Sequence, residues 1–318
     1  MNYRKPEAVF QEKIEAIDLK LKDLKKIESV LSLLKLLFVI GGIFFLFKVV
    51  LNYSPFSFYA FLFFLFVFIL LAIIHEHYIK QRKFQIILKT INQDEIKATR
   101  GAFLDYENGS ELEDSDHAYT GDLSIFGNRS VFHFVNRTTT SLGKKVLSDW
   151  LKVFPDSSSL QIIRDRQEAV QELSGKIDFR QNIQAYGRNI HDSLERLGSV
   201  RLLFEESQCV LGKKILIIFL HIFPLLTLSA IVLVFLKFSW LIPVGFALVQ
   251  GLVNWIFRKK VIRLYKLTSQ NFKVLSVYSK IIGEIERETF KSSTLIGLQK
   301  HYFVKNRPAS LYIKKLSS

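Results

Sequence analysis

The chain has 318 residues, of which 49% are hydrophobic and 14% aromatic, and its formal net charge is +15. This length allows one or two folded domains, and a basic excess is typical of proteins that contact nucleic acid or the anionic inner face of a membrane. The single cysteine, Cys209, excludes an intrachain disulfide and fits a reducing compartment.

Residues 1–35 are predicted to form an N-terminal amphipathic helix and not a cleavable signal peptide, because they are rich in charge. Apolar residues follow a heptad-like spacing that Glu28 interrupts: Phe10, Ile14, Ile17, Leu21, Leu24 and Leu31. The pattern fits a short coiled coil or a packed helix. It fits equally well an amphipathic helix that lies on the membrane or on its own domain.

Four apolar runs are candidates for transmembrane helices: roughly residues 36–51, 56–74, 215–236 and 238–257. A helix needs about 20 mainly apolar residues to cross a bilayer core of about 30 Å. The first run is shorter and carries Lys48 near its end, where a lysine can extend to the headgroups. Burial of all four runs in a soluble core is the alternative, but the chain has too little polar sequence to cover them.

Short turns pair these runs into two hairpins, at residues 36–74 and 213–257. Basic residues flank the other ends of the runs, whereas the two turns carry only Lys237. The flanking basic residues are Arg4, Lys5, Lys13, Lys20, Lys22, Lys25, Lys26, Lys35, Lys80, Arg82, Lys83, Lys213, Lys214, Arg258, Lys259, Lys260 and Arg263. Because cytoplasmic segments are enriched in lysine and arginine, both termini and the central segment are predicted to be cytoplasmic.

Residues 75–116 are predicted to form a juxtamembrane helix followed by an acidic linker at 104–116, in which Asn108-Gly109 marks a turn. The linker matches no calcium-loop spacing. His75 and His77 point to different sides of a helix, so chelation by this pair is not expected. The sequence therefore predicts no metal site.

Residues 117–212 are predicted to form a helical cytoplasmic domain. The runs DLSIF and SVFHFV, around Gly127, fit either a strand pair or the start of a helix. Thr140 or Ser141 can then cap a helix that ends at Pro155. Its predicted buried residues are Leu142, Val146, Leu147, Trp150 and Leu151, and those of the next helix are Leu160, Ile163, Ala169, Val170 and Leu173.

Residues 258–318 are predicted to continue the fourth span as a long helix and to complete the core of the cytoplasmic domain. The predicted fold class is therefore mainly α, with four transmembrane helices in two hairpins and a cytoplasmic helical domain. A channel or a hydrolase is disfavoured, since the spans contain few ionisable residues and no nucleophile–base set is visible.

Residues 117–210 resemble the core or lever region of the MutS family of DNA mismatch-repair ATPases, and residues 261–316 do so loosely. The matching motif residues are Asp122, Gly127, Asn136, Thr138, Thr140, Gly143, Trp150, Arg166 and Gln167. HDSLERL (residues 191–197) and RPASLYIKKL near the C-terminus are similar to later segments of that family. With its apolar runs, the chain resembles membrane-attached MutS-like proteins of bacteria, which implies the inner (cytoplasmic) membrane.

The chain departs from the family in its catalytic motifs. A phosphate-binding loop needs Gly-x-x-x-x-Gly-Lys-Ser/Thr, but Thr138 occupies the first glycine position before Gly143 and Lys145 the hydroxyl position. No catalytic or cofactor-binding residue is therefore predicted. ATP and magnesium are expected only if an ATPase domain follows residue 318, and this chain is expected to lack that domain.

The resemblance implies a membrane-anchored core or lever module, part of or derived from a mismatch-repair-type ATPase and non-catalytic in this chain. The alternative is a membrane scaffold or interaction protein that retains the core fold without DNA binding. Five basic side chains can either contact DNA phosphates or form a solvated face: Arg129, Arg137, Lys144, Lys145 and Arg188. The expected partners are the lipid bilayer, DNA and a second copy of the chain.

Overall fold

A computed structural model describes residues 5–52, 54–152, 160–188, 226–227, 229–230, 241–304 and 307–316. Helices dominate this part of the chain. They are α1 (Pro6–Leu51), α2 (Pro55–Thr99), α3 (Val131–Val135), α4 (Ser141–Lys152), α5 (Leu160–Gly175), α6 (Ile177–Gly187), α7 (Leu241–Arg287), α8 (Ser293–Lys300) and α9 (Ala309–Leu316). A short antiparallel pair, β1 (Phe303–Val304) and β2 (Arg307–Pro308), joins α8 to α9.

Helices α1 and α2 form a long hairpin around the turn at Ser54. They contain 46 and 45 residues, and each has a proline in its first turn, where the missing N–H removes no helical hydrogen bond. At about 1.5 Å per residue, each helix is roughly 68 Å long. The predicted boundaries at residues 35 and 74 fall inside these continuous helices. No proline interrupts either helix where its sequence changes between polar and apolar.

The end of the hairpin near the turn is apolar and its surface is exposed. Phe64 lies against Gly41, where an added Cβ would collide with its ring. The ring centroid of Phe64 is 5.4 Å from that of Phe38 and 5.5 Å from that of Phe45, and the rings are tilted. Small residues allow such close approach of helices in membranes. By length and composition, α1 and α2 are both able to cross a membrane.

The structure does not establish the predicted number of four transmembrane helices. The third predicted span, residues 215–236, falls almost wholly outside the described residues, and in α7 the apolar stretch covers Pro243–Leu252. Among the described residues, two helices meet the length and hydropathy expected of a span. These two helices support the predicted mainly α fold with candidate transmembrane spans. The presence of four spans stays a prediction.

The polar end of the hairpin, residues 6–35 of α1 and 75–99 of α2, is called the stalk below. Its seam contains the buried residues Ile14, Ile17, Leu31 and Ile91. Ion pairs join the two helices, with Glu28 3.2 Å from Arg82 and Asp18 2.6 Å from Lys89. Of the alternatives for the N-terminal helix, the structure shows the packed helix, since α1 pairs with α2 along this seam.

The first of two compact units contains residues 1–139, 143–189 and 289–295. After the stalk, it has a small core made of Ile125, Phe126 and Phe132, on which Leu112, Tyr119, Leu147 and Leu151 pack. The ambiguous run SVFHFV is helical: α3 begins after Ser130, whose hydroxyl accepts the N–H of His133 at 3.1 Å. The run DLSIF forms turns instead of a strand.

The predicted burial of α4 and α5 is only partly correct. Leu147 and Leu151 reach the core, but Leu142, Val146 and Trp150 are exposed in the described structure. On α5, Ala169 is buried while Leu160 and Val170 are exposed. The core is small, so α4 meets it along one narrow edge. Pro155, the predicted helix stop, lies outside the described residues.

Residues 289–292 return to the first unit and pack on α5 and α6. The carboxylate of Glu172 accepts the backbone N–H groups of Lys291 and Ser292, and Lys176 donates to the carbonyl of Thr289 at 2.7 Å. The ring of Phe290 meets Phe179 edge-on, with centroids 5.6 Å apart. The two backbone hydrogen bonds lower the pKa of Glu172. Residues 289–292 thus pack against two of the predicted core helices, α5 and α6.

The second unit contains residues 140–142, 190–288 and 296–318. Its described part centres on α7, which continues without a break from the predicted fourth span, as expected. Helix α9 is held against α7 by Ser279, whose hydroxyl donates to the carbonyl of Ser310 at 2.8 Å. The β1–β2 pair, in which Phe303 faces Pro308, reverses the chain before α9.

Candidate functional site

The stalk is attached to the following helical segment through a set of polar and aromatic contacts. We call this set the hairpin junction and define it by residues on α2 and on the segment it meets: Phe84, Asn92, Asp94, Glu95, Tyr106, Arg137, Gln181, Tyr186 and Arg188. All of them belong to the first compact unit.

Helix α6 docks along α2 through one aromatic and one amide contact. Phe84 stacks on Tyr186 with ring centroids 4.8 Å apart. The amides of Asn92 and Gln181 are buried and hydrogen-bond reciprocally, at 3.3 and 2.9 Å. A buried amide without a hydrogen-bond partner destabilises the folded state. Because a shift of α6 along α2 would break this reciprocal pair, the pair favours a single register of α6 on α2.

Arg137 binds α2 through a bidentate ion pair with Glu95. Its Nε and Nη2 donate to the two carboxylate oxygens of Glu95 at 2.6 and 3.2 Å. The guanidinium also lies 4.0 Å from the centre of the Tyr106 ring. The two side chains of the ion pair are only 27% and 21% exposed. A bidentate, partly buried pair of this kind is stronger than an exposed one.

Arg188 binds the preceding residue of α2, Asp94, through a single ion pair. Its Nη1 donates to Asp94 at 2.8 Å, and the two side chains are 25% and 20% exposed. Just before it, Gly187 ends α6 where an added Cβ would collide with Thr139. Two consecutive carboxylates of α2 thus each hold one arginine of the segment that follows the stalk.

Tyr106 is the titratable group most affected by the junction. Burial raises its pKa to about 12, the negative charge of Glu95 adds to this rise, and the positive charge of Arg137 opposes it. The phenol oxygen is buried and has no hydrogen-bond partner among the described residues. Tyr106 is therefore neutral at physiological pH and acts as a stacking platform for Arg137.

Lys144, at the start of α4, binds the acidic linker. Its ammonium donates to Glu107 at 2.7 Å and also pairs with Glu111. Burial alone would lower the pKa of Lys144, but the hydrogen bonds with Glu107 and Glu111 outweigh it and raise the pKa. The same contact with Lys144 lowers the pKa of Glu111. The linker is thus anchored to α4.

The five predicted phosphate contacts separate into two groups. Arg137, Lys144 and Arg188 are each engaged by carboxylates of their own unit. Arg129 and Lys145 are exposed and form no ion pair within the described ranges. Arg129 has a positive φ of 57°, and its backbone N–H donates to the ring of His133 at 3.1 Å. The five cations therefore do not form one patch of unpaired positive charge.

The motif residues that carried the family resemblance hold the loops around α3 and α4. The buried side chain of Asn136 donates to the carbonyl of Glu107 at 3.2 Å and accepts from the N–H and hydroxyl of Thr138 at 3.0 and 2.7 Å. Gly127 has a φ of 92°, a conformation that favours glycine.

The remaining motif residues lie on α4 and α5 or on the surface. Thr140 directly precedes α4 and Gly143 lies in its first turn. Trp150 is exposed, and Arg166 contacts one face of its ring, with the guanidinium carbon 4.4 Å from the ring centre. Asp122 and Gln167 are exposed. Of the residues described, none forms a group of three or more side chains able to hold a metal ion.

The acidic side of the junction was not predicted from the sequence. Asp94 and Glu95 are adjacent carboxylates between Lys89 and Lys97 in the polar part of α2, and this pairing was the local signal that pointed to them. Their arginine partners lie 94 and 42 residues away, and no spacing rule links residues at such separations.

Comparison with protein families supports a MutS-like domain. Residues 111–229 match the family model of MutS domain III, a domain of a DNA mismatch-repair family. The matched range contains α3 to α6 and both junction arginines, whereas Asp94 and Glu95 precede it. It also extends into the predicted third span. No curated protein and no solved structure matches the chain.

The chain therefore contains a MutS domain III-like segment that packs on the polar end of a long helical hairpin. The match confirms the MutS-like part of the resemblance. Membrane attachment, ATP and magnesium binding, DNA binding and dimer formation stay predictions.

Proposed function

We propose that this chain is a membrane-anchored MutS-like module, in which the α1–α2 hairpin inserts into the bilayer and the junction holds the MutS domain III-like segment at a set distance from it. One observation carries the proposal: α1 and α2 each run without interruption from the apolar turn to the polar stalk. A continuous helix couples the position of its two ends more rigidly than a flexible linker does.

The dimensions of the hairpin support this role. The apolar run of α2 ends near Ile74, and the junction carboxylate of Asp94 lies 20 residues further along the same helix. At about 1.5 Å per residue, this places Asp94 roughly 30 Å beyond the apolar border. The basic residues that flank this border favour a cytoplasmic stalk, and the family resemblance supports an anchor in the bacterial inner membrane.

The ion pairs of the first unit support a scaffold or relay role over direct DNA contact. Arg137, Lys144 and Arg188 are engaged by carboxylates, so contact with a phosphate backbone would require them to exchange partners. ATP and magnesium enter the proposal only through an ATPase domain downstream of this segment. Self-association remains a further expectation of the same proposal.

Cysteine labelling tests the membrane orientation. In a Cys209→Ser background, Asn52→Cys at the apolar turn is expected to react with an impermeant maleimide in intact cells. Ser110→Cys, beyond the stalk, is expected to react only after permeabilisation. Both sites must label in detergent, as the control for reactivity. Labelling of Ser110→Cys in intact cells would contradict the orientation, and release of the chain by alkaline carbonate would contradict the anchor.

DNA contact is the second candidate, favoured by the exposed positions of Arg129 and Lys145. If both contact phosphates, the Arg129→Gln/Lys145→Gln variant is expected to reduce the slope of log K against log salt by about 2. Fluorescence anisotropy with a labelled duplex at several salt concentrations measures this slope. Lys300→Gln, on α8, is the matched control for a lost surface charge. Absence of duplex binding by the unmodified chain at low salt would rule out this candidate and leave the scaffold role.

A further inference from the structure

Lys35 of α1 and His75 of α2 contact each other across the hairpin, at the border of its apolar end. Lys35 is the last residue before the apolar run of α1, and His75 is the first residue after that of α2. The ammonium Nζ lies 2.5 Å from Nδ1 of the imidazole, and both residues are half-buried. The match to MutS domain III begins at residue 111, so this contact belongs to the hairpin alone.

The chemistry of the two groups decides the direction of this hydrogen bond. An ammonium has three N–H donors and no acceptor, so Lys35 donates and Nδ1 of His75 accepts. The contact uses one of the three donors of Lys35. Because its acceptor is a ring nitrogen and not a carboxylate, the positive charge of Lys35 is held in place without being neutralised.

The carboxylates that are closest in sequence to this pair have cations of their own. Glu28 lies 3.2 Å from Arg82, and Glu76 lies 3.5 Å from Lys80. Within the described part of the chain, neither carboxylate forms an ion pair with Lys35. A partly buried charge is costly without a counter-charge, so an anion that reaches this border would stabilise the pair.

The proposed anchoring role places the pair at the level of the lipid headgroups. The apolar runs that begin and end beside it would occupy the hydrocarbon core, and the phosphate groups lie just outside that core. Anionic lipids of the inner leaflet attract lysine side chains at this depth. Phosphate oxygens accept strong, charge-assisted hydrogen bonds from an ammonium.

We propose that Lys35, held in position by His75, binds the phosphate group of an anionic phospholipid in the inner leaflet. Lys35 donates to the phosphate oxygens, and His75 is a positioning residue that orients the ammonium. The proposal rests on the anchoring role of the hairpin, and it adds a preference for lipid charge that an apolar anchor alone does not require. A free phosphate offers the same oxygens but lacks the acyl chains that hold it beside the pair.

Native mass spectrometry of the full chain in detergent micelles tests the site, because it gives the dissociation constant of the first bound lipid. The probes are phosphatidylglycerol, phosphatidylcholine and inorganic phosphate. Phosphatidylglycerol is expected to bind about fivefold more tightly than phosphatidylcholine, since one lysine contributes the difference. Equal affinity for the two lipids would overturn the proposal. Binding of inorganic phosphate as tight as that of phosphatidylglycerol would overturn the assignment to a lipid.

Failure of the anchor appears in a different measurement. Release of the chain from membranes by alkaline carbonate would remove the anchoring role and this site together. A chain that stays in the membrane but has equal affinity for the two lipids would remove this site alone.

Variants of Lys35 locate the binding. Lys35→Gln is expected to weaken phosphatidylglycerol binding about fivefold and to leave phosphatidylcholine binding unchanged, whereas Lys35→Arg retains the preference. Lys26→Gln is the matched control, because Lys26 is an exposed lysine of α1 that lies nine residues earlier, roughly 14 Å further from the border. An equal loss in the control would show that general surface charge, not this pair, attracts the lipid.

Variants of His75 test the positioning role. His75→Leu removes the acceptor, so the side chain of Lys35 must be ordered by the lipid, and phosphatidylglycerol binding is expected to weaken at least about twofold. His75→Gln offers an amide oxygen to Lys35 and is expected to retain the preference. An equal result for the two variants, or an equal loss for both lipids in His75→Leu, would contradict the positioning role.

Discussion

Replacing Phe132 by alanine is expected to lower the free energy of unfolding of the MutS domain III-like segment by about 3–5 kcal/mol. The side chain is 0% exposed, and its ring lies 5.5 Å from that of Phe126. It also packs on Gly109, where an added Cβ would lie 2.7 Å from the ring. The surrounding core is small, so little structure is available to fill the cavity. Native-state amide exchange of α3 and α4 measures the loss.

Phe134→Ala is the matched control, because Phe134 lies on the same helix and is 52% exposed. It contacts Phe103 with ring centroids 5.3 Å apart, and removal of such an aromatic pair costs about 0.5–1.5 kcal/mol. A similar loss for the two variants would mean that Phe132 does not anchor the core. The assignment of Ile125, Phe126 and Phe132 as its centre would then fail.

The helical architecture could be predicted because the chain carries strong periodic and apolar signals. Pro55 begins α2 at the position where the apolar run suggested a span, and the heptad-like spacing of Ile14, Ile17 and Leu31 identified the seam of the stalk. The continuity of α1 through residue 35 could not be predicted. The hydrogen bonds of an α-helix form within its own backbone, so a change from polar to apolar side chains does not require the helix to end.

Short apolar runs were harder to interpret. SVFHFV has a composition that fits a strand, yet the hydroxyl of Ser130 caps it as a helix and Phe132 turns into the core. Leu142, Val146 and Trp150 share the apolar character of Leu147 and Leu151, and periodicity alone does not distinguish them. Which of them is buried depends on the size of the core that the other segments provide.

The signs of the charges were visible in the sequence, but their partners were not. Arg137, Lys144 and Arg188 were candidates either for phosphate contacts or for a solvated face, because the sequence shows a charge but not its partner. In the structure, each of them meets a carboxylate from another part of the first unit. Such pairing depends on how α2 meets the helical segment, which is a property of the tertiary fold.

Replacing Glu95 by leucine is expected to weaken the hairpin junction by about 1–3 kcal/mol. Loss of Glu95 leaves the Arg137 guanidinium partly buried without its counter-charge. The expected cost is smaller than for a fully buried ion pair, because both side chains retain some exposure to solvent. Amide exchange of α6 and of the residues around Arg137 measures the effect. The double variant Glu95→Leu/Arg137→Leu is expected to recover part of the loss, since no unpaired charge then remains.

Tyr106 provides an independent readout of the same change. Loss of the negative charge of Glu95 removes one of the causes that raise its pKa, so the pKa is expected to fall below about 12 in Glu95→Leu. In the unmodified chain, the folded state retains the phenol proton while the unfolded state loses it above the ordinary value of 10.0. The junction therefore loses stability as the pH rises from 10 towards 12, and the variant loses less over that interval. Carbon-13 labelling of the tyrosine rings resolves this titration.

Glu7→Leu distinguishes the junction from a general effect of stalk charges. Glu7 pairs with Arg100 at 3.2 Å, also between a glutamate and an arginine of the first unit, but these side chains are 42% and 66% exposed. The hydrogen bond with Arg100 lowers the pKa of Glu7, yet solvent screens such a pair, so little change in the exchange of α6 is expected. Equal effects of Glu7→Leu and Glu95→Leu, with an unchanged Tyr106 titration, would mean that burial at the junction contributes nothing. The attachment of the MutS domain III-like segment would then depend on the α2–α6 contacts of Asn92 and Phe84 instead.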